Sequence, residues 1–364
     1  MAKSLLFLPD ISGFTEFVQS TEAAHSQHVI SELLEVLIAA NSLDLKLAEV
    51  EGDALFFYKE EEIPTQEEIL NQMESMFTAF FSHLKLLKTN RVCPCNACAT
   101  APDLQLKIIA HCGELQFISV QNNRKPFGSQ VIEAHRLMKN SVESDNYVLL
   151  SDQLNSEIDL KDKYSNHLYN FVAGQNNYDG NDIHYLYSKI DNNNLRLLPF
   201  SQAKKVEFPS QPNVYLKKDF PLSADTLIEY ITNYSYRHHW AEGVDKFEFD
   251  ENIVTREGTE HICVINGKQL HFTAVTKDGK ADQIVYGEMT TSVPIADEVY
   301  QFYIISPTSN NSCLLEVELY WKAKSPLKKI ILATLAKGIF KKNFKKTIDS
   351  LFNYIITVTG NNIS

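Results

Sequence analysis

The sequence predicts an α+β fold in two domains. Three observations carry this: a length of 364 residues, more than one core usually spans; a first half in which strand-like and helical runs alternate; and a change of pattern after a polar, turn-rich stretch near residue 192. A hydrophobic content of 44%, with 11% aromatic, supplies apolar material for two cores and excludes a disordered chain.

Leu5 to Leu8 is a short buried strand that Pro9-Asp10 ends, and Asp10-Ile11-Ser12-Gly13-Phe14-Thr15 is a turn entering a helix, with polar groups able to cap it. Val29, Leu33, Leu34, Leu37 and Ile38 recur at helical spacing. Leu43, Leu45 and Leu47 alternate as in a strand. Glu51-Gly52-Asp53 is a tight hairpin turn, and Ala54 to Tyr58 the partner strand. The long helix after Pro64 carries Ile69, Met73, Phe77, Phe80 and Leu84 on its apolar side. Leu104 to Val120 predicts two strands joined around Gly113, Gly128 to Asn140 a helix, and Tyr147 to Leu150 a strand, with further strands near Asn170 and from His184 to Tyr187. Helices are expected on one face of a largely antiparallel sheet.

A linker is expected over residues 193–211, between a first domain of residues 1–192 and a second of 212–360, because Asp191 to Asn194 is turn-rich and Pro199 to Pro212 irregular. Beyond it come a short helix from Ser223 to Tyr234, many strand-like runs from Phe247 to Trp321, and a last helix from Pro326 to about Ile356. A curved antiparallel sheet wrapped on one long terminal helix accounts for that order.

Most of the chemistry falls to Asp10 and Asp53. One carboxylate ends the first strand and the other sits at the hairpin tip, so neighbouring strands would bring both to one end of the sheet. Hard cations such as Mg²⁺ or Mn²⁺ take carboxylate and phosphate oxygens, and two such ions can activate a hydroxyl and neutralise a leaving pyrophosphate.

Asp10-Ile11-Ser12-Gly13-Phe14-Thr15 resembles the opening metal motif of class III adenylyl and guanylyl cyclases. Glu49-Val50-Glu51-Gly52-Asp53-Ala54 is similar to their second motif, His111-Cys112-Gly113-Glu114 to their later strand motif, and Phe127 to Val131 with Ala134 to Leu137 to the helix that follows. The resemblance covers roughly residues 5–190. It implies a ferredoxin-like cyclase-type sheet, a metal set of Asp10, Ile11 and Asp53, a purine nucleoside triphosphate, and a head-to-tail homodimer with the site between subunits. Arg136 falls at the phosphate-holding Arg of that family, and Glu49 at its guanine-reading Glu. Two positions depart: Ile132 stands where the family has a ribose-holding Asn, with Glu133 and Asn140 the polar groups nearby, and Lys125 stands where a Cys or Asp would read the base. Lys125 could meet a phosphate or pair with Glu49. The implied function is a nucleotidyl cyclase-like protein, either active as a purine nucleotide cyclase or degenerate. The alternative is a non-catalytic sensor or binding protein for a hydrophobic molecule.

Cys93-Pro94-Cys95-Asn96-Ala97-Cys98 brings three thiols within reach of one soft metal. Zinc, an iron–sulfur cluster, a redox thiol set and free thiols in a loop all fit this spacing, with Cys112, His111 or His83 as a fourth ligand. The remaining cysteines are scattered and make no disulfide framework.

In the second half, Phe220 to Val244 resembles the opening of START-like, polyketide-cyclase-like domains and Glu257 to Val264 the strand that follows, a resemblance over about residues 212–360. That resemblance implies a helix-grip fold around an apolar cavity and a hydrophobic small molecule or lipid as ligand. Trp240, His261 and Tyr286 are candidate lining residues, with core packing the plainer reading. The lysines from Lys328 to Lys346 read as a solvated helix face, in preference to a membrane-docking one. A net charge of −12 argues against nucleic acid as a partner. The run Leu5 to Leu8 is too short for a signal peptide or a membrane span, so a cytoplasmic protein is expected.

Overall fold

The computed structural model describes all residues except 1, 22, 122, 179, 201–204, 251–252 and 361–364. Residues 201–204 of the expected linker therefore lie outside the described residues. The chain forms two compact units, residues 1–86 with 100–200, and residues 87–99 with 201–364. Among the described residues no helix is long and apolar enough to cross a membrane.

The first half of the chain runs β1 (Ser4–Ser12), α1 (Phe14–Ser20), α2 (Ala23–Ala39), β2 (Lys46–Glu51), β3 (Ala54–Lys59), α3 (Gln66–Thr89), α4 (Asn96–Thr100), β4 (Gln105–Gly113), β5 (Gln116–Val120), β6 (Asn123–Phe127), α5 (Ser129–Leu137), β7 (Tyr147–Ser151), α6 (Asp152–Glu157), β8 (Val172–Tyr178) and β9 (Asn181–Lys189). Seven strands form one sheet in the order β2-β3-β1-β4-β7-β9-β8, antiparallel except where β7 joins β4. Its first four strands, with the helices between them, have the ferredoxin-like split βαβ connectivity.

All nine residues of β1 are buried. Leu6 and Leu8 pack with Ile109, Leu149, Ala134 and Leu137 beneath α5. Leu5, Phe7 and Ile11 point the other way and are equally closed to solvent. Both faces of the sheet are thus covered, where the sequence predicted helices on one. The two strands predicted around Gly113 are present but do not pair with each other: β4 joins the main sheet, while β5, among the described residues, pairs with β6.

The second half runs β10 (Val214–Phe220), α7 (Ala224–Thr232), α8 (Tyr234–Arg237), β11 (Lys246–Glu248), β12 (Glu260–Ile265), β13 (Lys268–Val275), β14 (Ile284–Thr290), β15 (Glu298–Ser309), β16 (Ser312–Lys322), α9 (Pro326–Ile331) and α10 (Lys337–Gly360), with one π turn joining the last two helices. The strands form one antiparallel sheet in the order β10-β16-β15-β14-β13-β12-β11. Leu315, Val317 and Leu319 of β16 meet Leu227 and Ile231 of α7 and Ile348, Leu351 and Ile355 of α10 in its core. Ser223 caps α7 by accepting from the Thr226 N–H. Lys337, Lys341, Lys342, Lys345 and Lys346 of α10 are exposed, in keeping with a solvated face, and Ile339 among them is 60% exposed.

Candidate metal and nucleotide site

Asp10 lies opposite Ala54 of β3 on one side and Lys107 of β4 on the other. Gly52 takes the left-handed conformation (φ +70°) that lets the β2–β3 turn close. The Ile11 N–H donates to the Asp53 carbonyl at 3.1 Å, which ties the turn to β1 beside Asp10. The topology therefore brings the two carboxylates to one end of the sheet. Burial pushes the Asp10 carboxyl above its usual range, and the Lys107 ammonium, 3.3 Å away, pulls it back. Burial also raises Asp53, and the negative charge of Asp10 raises it further. Two crowded, half-desolvated carboxylates suit a divalent cation, and Lys107 is a built-in competitor for it.

This gives a first prediction. Lys107→Gln should tighten Mn²⁺ binding about tenfold, since removing one charge 3.3 Å from a carboxylate near the protein surface is worth on the order of 1–4 kcal/mol. Because both carboxyls are raised, protons compete above the ordinary carboxylate range, and Mn²⁺ affinity should fall as pH drops through that raised range. Manganese titration by electron paramagnetic resonance at several pH values checks both; unchanged affinity in the variant would contradict the first.

Glu49 of β2 and Lys125 of β6 meet in an ion pair at 2.8 Å, the pairing that the sequence left open. Arg136 lines a cleft of about 660 Å³ with Ile132, Glu133, Asp152 and His184, and neither Asp10 nor Asp53 borders that cleft. Ile132 is 55% exposed. Glu133 accepts from the Gln153 amide at 2.6 Å. Asn140 is fully engaged: its amide donates to the Leu137 carbonyl and the Tyr147 hydroxyl, and its oxygen accepts from the Val142 N–H. It is not free to stand in for a missing ribose contact. His111 is buried between Ser151 and Gln130, 2.8 Å from each, and burial holds its pKa down.

Within the second unit Cys93, Cys95 and Cys98 each offer a sulfur, all within 4.8 Å of one another. Of the companions that the sequence named, Cys112, His111 and His83, His111 is held as above and His83 lies 3.0 Å from Glu32. Hydrogen bonds to the Cys93 and Cys95 thiols, with burial, push the Cys98 thiol far above its ordinary range.

Trp240, His261 and Tyr286 are buried in the second unit. Trp240 and Tyr286 belong to its apolar core. The His261 ring stacks on Phe272 and lies 4.2 Å from the Tyr234 ring, measured between centroids. Sequence reasoning missed the charged pair beside them. Arg237 and Glu288 approach to 2.6 Å and are 4% and 0% exposed. The available signal was a lone Glu inside the apolar strand Ile284–Thr290.

Residues 30–147 match a family described as a protein of unknown function, DUF2652. The chain is 32% identical to the uncharacterized protein Rv2561/Rv2562 of Mycobacterium tuberculosis over 126 residues, 34% of this chain, and spans 57% of that relative's length. It is similar to the adenylyl cyclase CyaB from P. aeruginosa, at 18% identity over 52% of this chain and 94% of that one, with a TM-score of 0.38. A guanylate cyclase domain of RhGC from Catenaria anguillulae, solved in complex with GTP, is 16% identical over 52% of this chain and 97% of that one, also with a TM-score of 0.38.

Proposed function

We propose that the first unit binds a purine nucleoside triphosphate together with Mg²⁺ or Mn²⁺ through Asp10 and Asp53, as a nucleotidyl cyclase-like site. The observation that carries this reading is the placement of Asp10 on β1 opposite Ala54, beside the β2–β3 turn that holds Asp53, with the Ile11 N–H bonded to the Asp53 carbonyl at 3.1 Å. A bound divalent cation supplies charge neutralisation at the phosphates. Asp10 and Asp53 hold it, and Arg136 of a second copy, paired head to tail, would hold the α-phosphate. Cyclisation would form a bond from the ribose 3′ oxygen to the α-phosphorus and break the bond to pyrophosphate, with the hydroxyl proton passing to solvent.

Three features weigh toward binding with weak turnover. Lys107 offsets the charge of Asp10, Lys125 occupies the Glu49 carboxylate, and Ile132 offers no hydrogen bond to a ribose. The same features support a second reading, a sensor in which nucleotide is held and not converted. For the second unit we propose a START-like domain for a hydrophobic small molecule or lipid; its antiparallel sheet closed by one long helix supports that reading.

Incubation of the full chain with GTP or ATP and Mn²⁺ tests the first-unit reading. We expect Mn²⁺-dependent nucleotide binding that Asp10→Ala or Asp53→Asn weakens at least a hundredfold, as expected when a hard cation loses one of two carboxylates. Cyclic product that disappears in the same variants would establish the enzyme, and binding without product the sensor. Absence of any Mn²⁺-dependent nucleotide binding would overturn both.

A further inference from the structure

We propose that the outward face of α9 and α10 docks the protein on an anionic lipid surface, independently of what either unit binds. Residues 322–348 hold nine lysines and no Asp or Glu, in a chain whose net charge is −12. Glu298 and Asp297 take Lys322 and Lys328 at 2.9 and 2.7 Å, and Asp349, the next acid along the chain, meets Lys218 at 2.5 Å. Lys329, Lys337, Lys341, Lys342, Lys345 and Lys346 are exposed. Lysines alone would fit a solvated face, but Leu327, Ile330 and Ile339 stand beside them, each at least 60% exposed. The π turn Leu332–Ala336 adds about one residue to a helical turn. That rotation sets Ile339 on the side of Leu327 and Ile330, away from the buried Leu332, Ala336 and Ile348.

Charge and chemistry together choose the occupant. Each lysine close to an anionic leaflet favours binding about fivefold, and six such lysines lie along one helical stretch. Aliphatic side chains between them can enter the headgroup boundary while the ammonium groups stay at the phosphates. The cations of residues 322–348 are all Lys, hydrated point charges suited to a diffuse charged surface. Arg forks, which grip a single carboxylate or phosphate of a macromolecular partner, are absent from the stretch. Nucleic acid has no apolar layer to receive Leu327, Ile330 and Ile339. The helices would lie in the membrane surface, since no described helix is long and apolar enough to cross.

The test is sedimentation of the full chain with large unilamellar vesicles of phosphatidylcholine, alone or with about a third phosphatidylserine. We expect binding to the mixed vesicles to be at least about twentyfold tighter, with the difference lost at high salt. Lys342→Gln/Lys346→Gln should weaken it about twentyfold. Leu327→Ser/Ile330→Ser/Ile339→Ser, which leaves the charge unchanged, should weaken it about tenfold or more. Lys268→Gln/Lys280→Gln makes the same charge change at exposed lysines elsewhere in the second unit and should have no effect. The altered positions are all exposed, so each variant should keep the urea melt of the parent. The lipid and salt dependence is read on the unaltered chain, so poor folding of a variant leaves the proposal testable. Equal binding to both kinds of vesicle, unchanged affinity in the serine variant, or an equal loss in Lys268→Gln/Lys280→Gln would each overturn it. A dimer in sedimentation equilibrium that the serine variant dissociates would give the face to a second copy and overturn it too.

Discussion

Replacing Arg237 by methionine is expected to destabilise the second unit by about 3–5 kcal/mol, the usual cost of breaking a buried ion pair from one side. Glu288 would be left at 0% exposure with only neutral donors, the Tyr286 hydroxyl at 2.7 Å and the Gln301 amide. Arg237 is itself anchored by donating from Nε to the Ile231 carbonyl at 2.8 Å, while its terminal nitrogen lies 2.6 Å from the Glu288 carboxylate. The double variant R237M/E288L should cost clearly less than R237M alone, because it removes the orphaned charge as well as its partner. Urea melts of the four proteins in this cycle decide it; a single variant within 1 kcal/mol of the parent would show that water reaches Glu288.

The same cluster sets an acid dependence. His261 is buried with neither ring nitrogen hydrogen-bonded, and burial lowers its pKa to about 4 from 6.5. Its folded value lies below the unfolded one, so the unfolded chain takes up the proton first. Stability is therefore lost as pH falls from 6.5 to about 4, by about 3 kcal/mol at 1.36 kcal/mol per unit. His261→Phe should flatten this part of the stability profile.

What could be read in the sequence was whatever is coded locally. The alternation around Glu51-Gly52-Asp53 gave a hairpin because a positive-φ glycine and flanking apolar strands need no distant partner. The Asp10 and Asp53 pairing was reachable because one strand end and one hairpin tip can share a sheet edge. Lys107 was not reachable: it sits in β4, and only the strand order places it across from Asp10. That the two strands around Gly113 do not pair with each other was hidden for the same reason, since only the strand order shows that β1 takes β4. Arg237 and Glu288 were hidden because their charges are reconciled only in three dimensions.

Ile132→Asn is expected to raise nucleotide cyclisation about a hundredfold, the order of magnitude that one well-placed polar contact to a reacting sugar contributes. Ile132 is an apolar side chain, 55% exposed, one turn before Arg136 on the same face of α5, and both border one cleft. Its exposure means that little packing is lost, and the helix propensities of Ile and Asn differ by only a few tenths of a kcal/mol. Asn140 cannot already provide that contact, because Leu137, Tyr147 and Val142 use its amide. Ile132→Ala separates the two explanations of any gain: it removes the bulk without adding an amide and should leave the rate unchanged. Adding Asp10→Ala to Ile132→Asn should return the rate to background, because the amide orients a sugar whose phosphates Asp10 helps to hold. If Ile132→Asn binds nucleotide as tightly as the parent and still forms no product, the missing contact is not what limits turnover, and Lys107 beside Asp10 becomes the group that does.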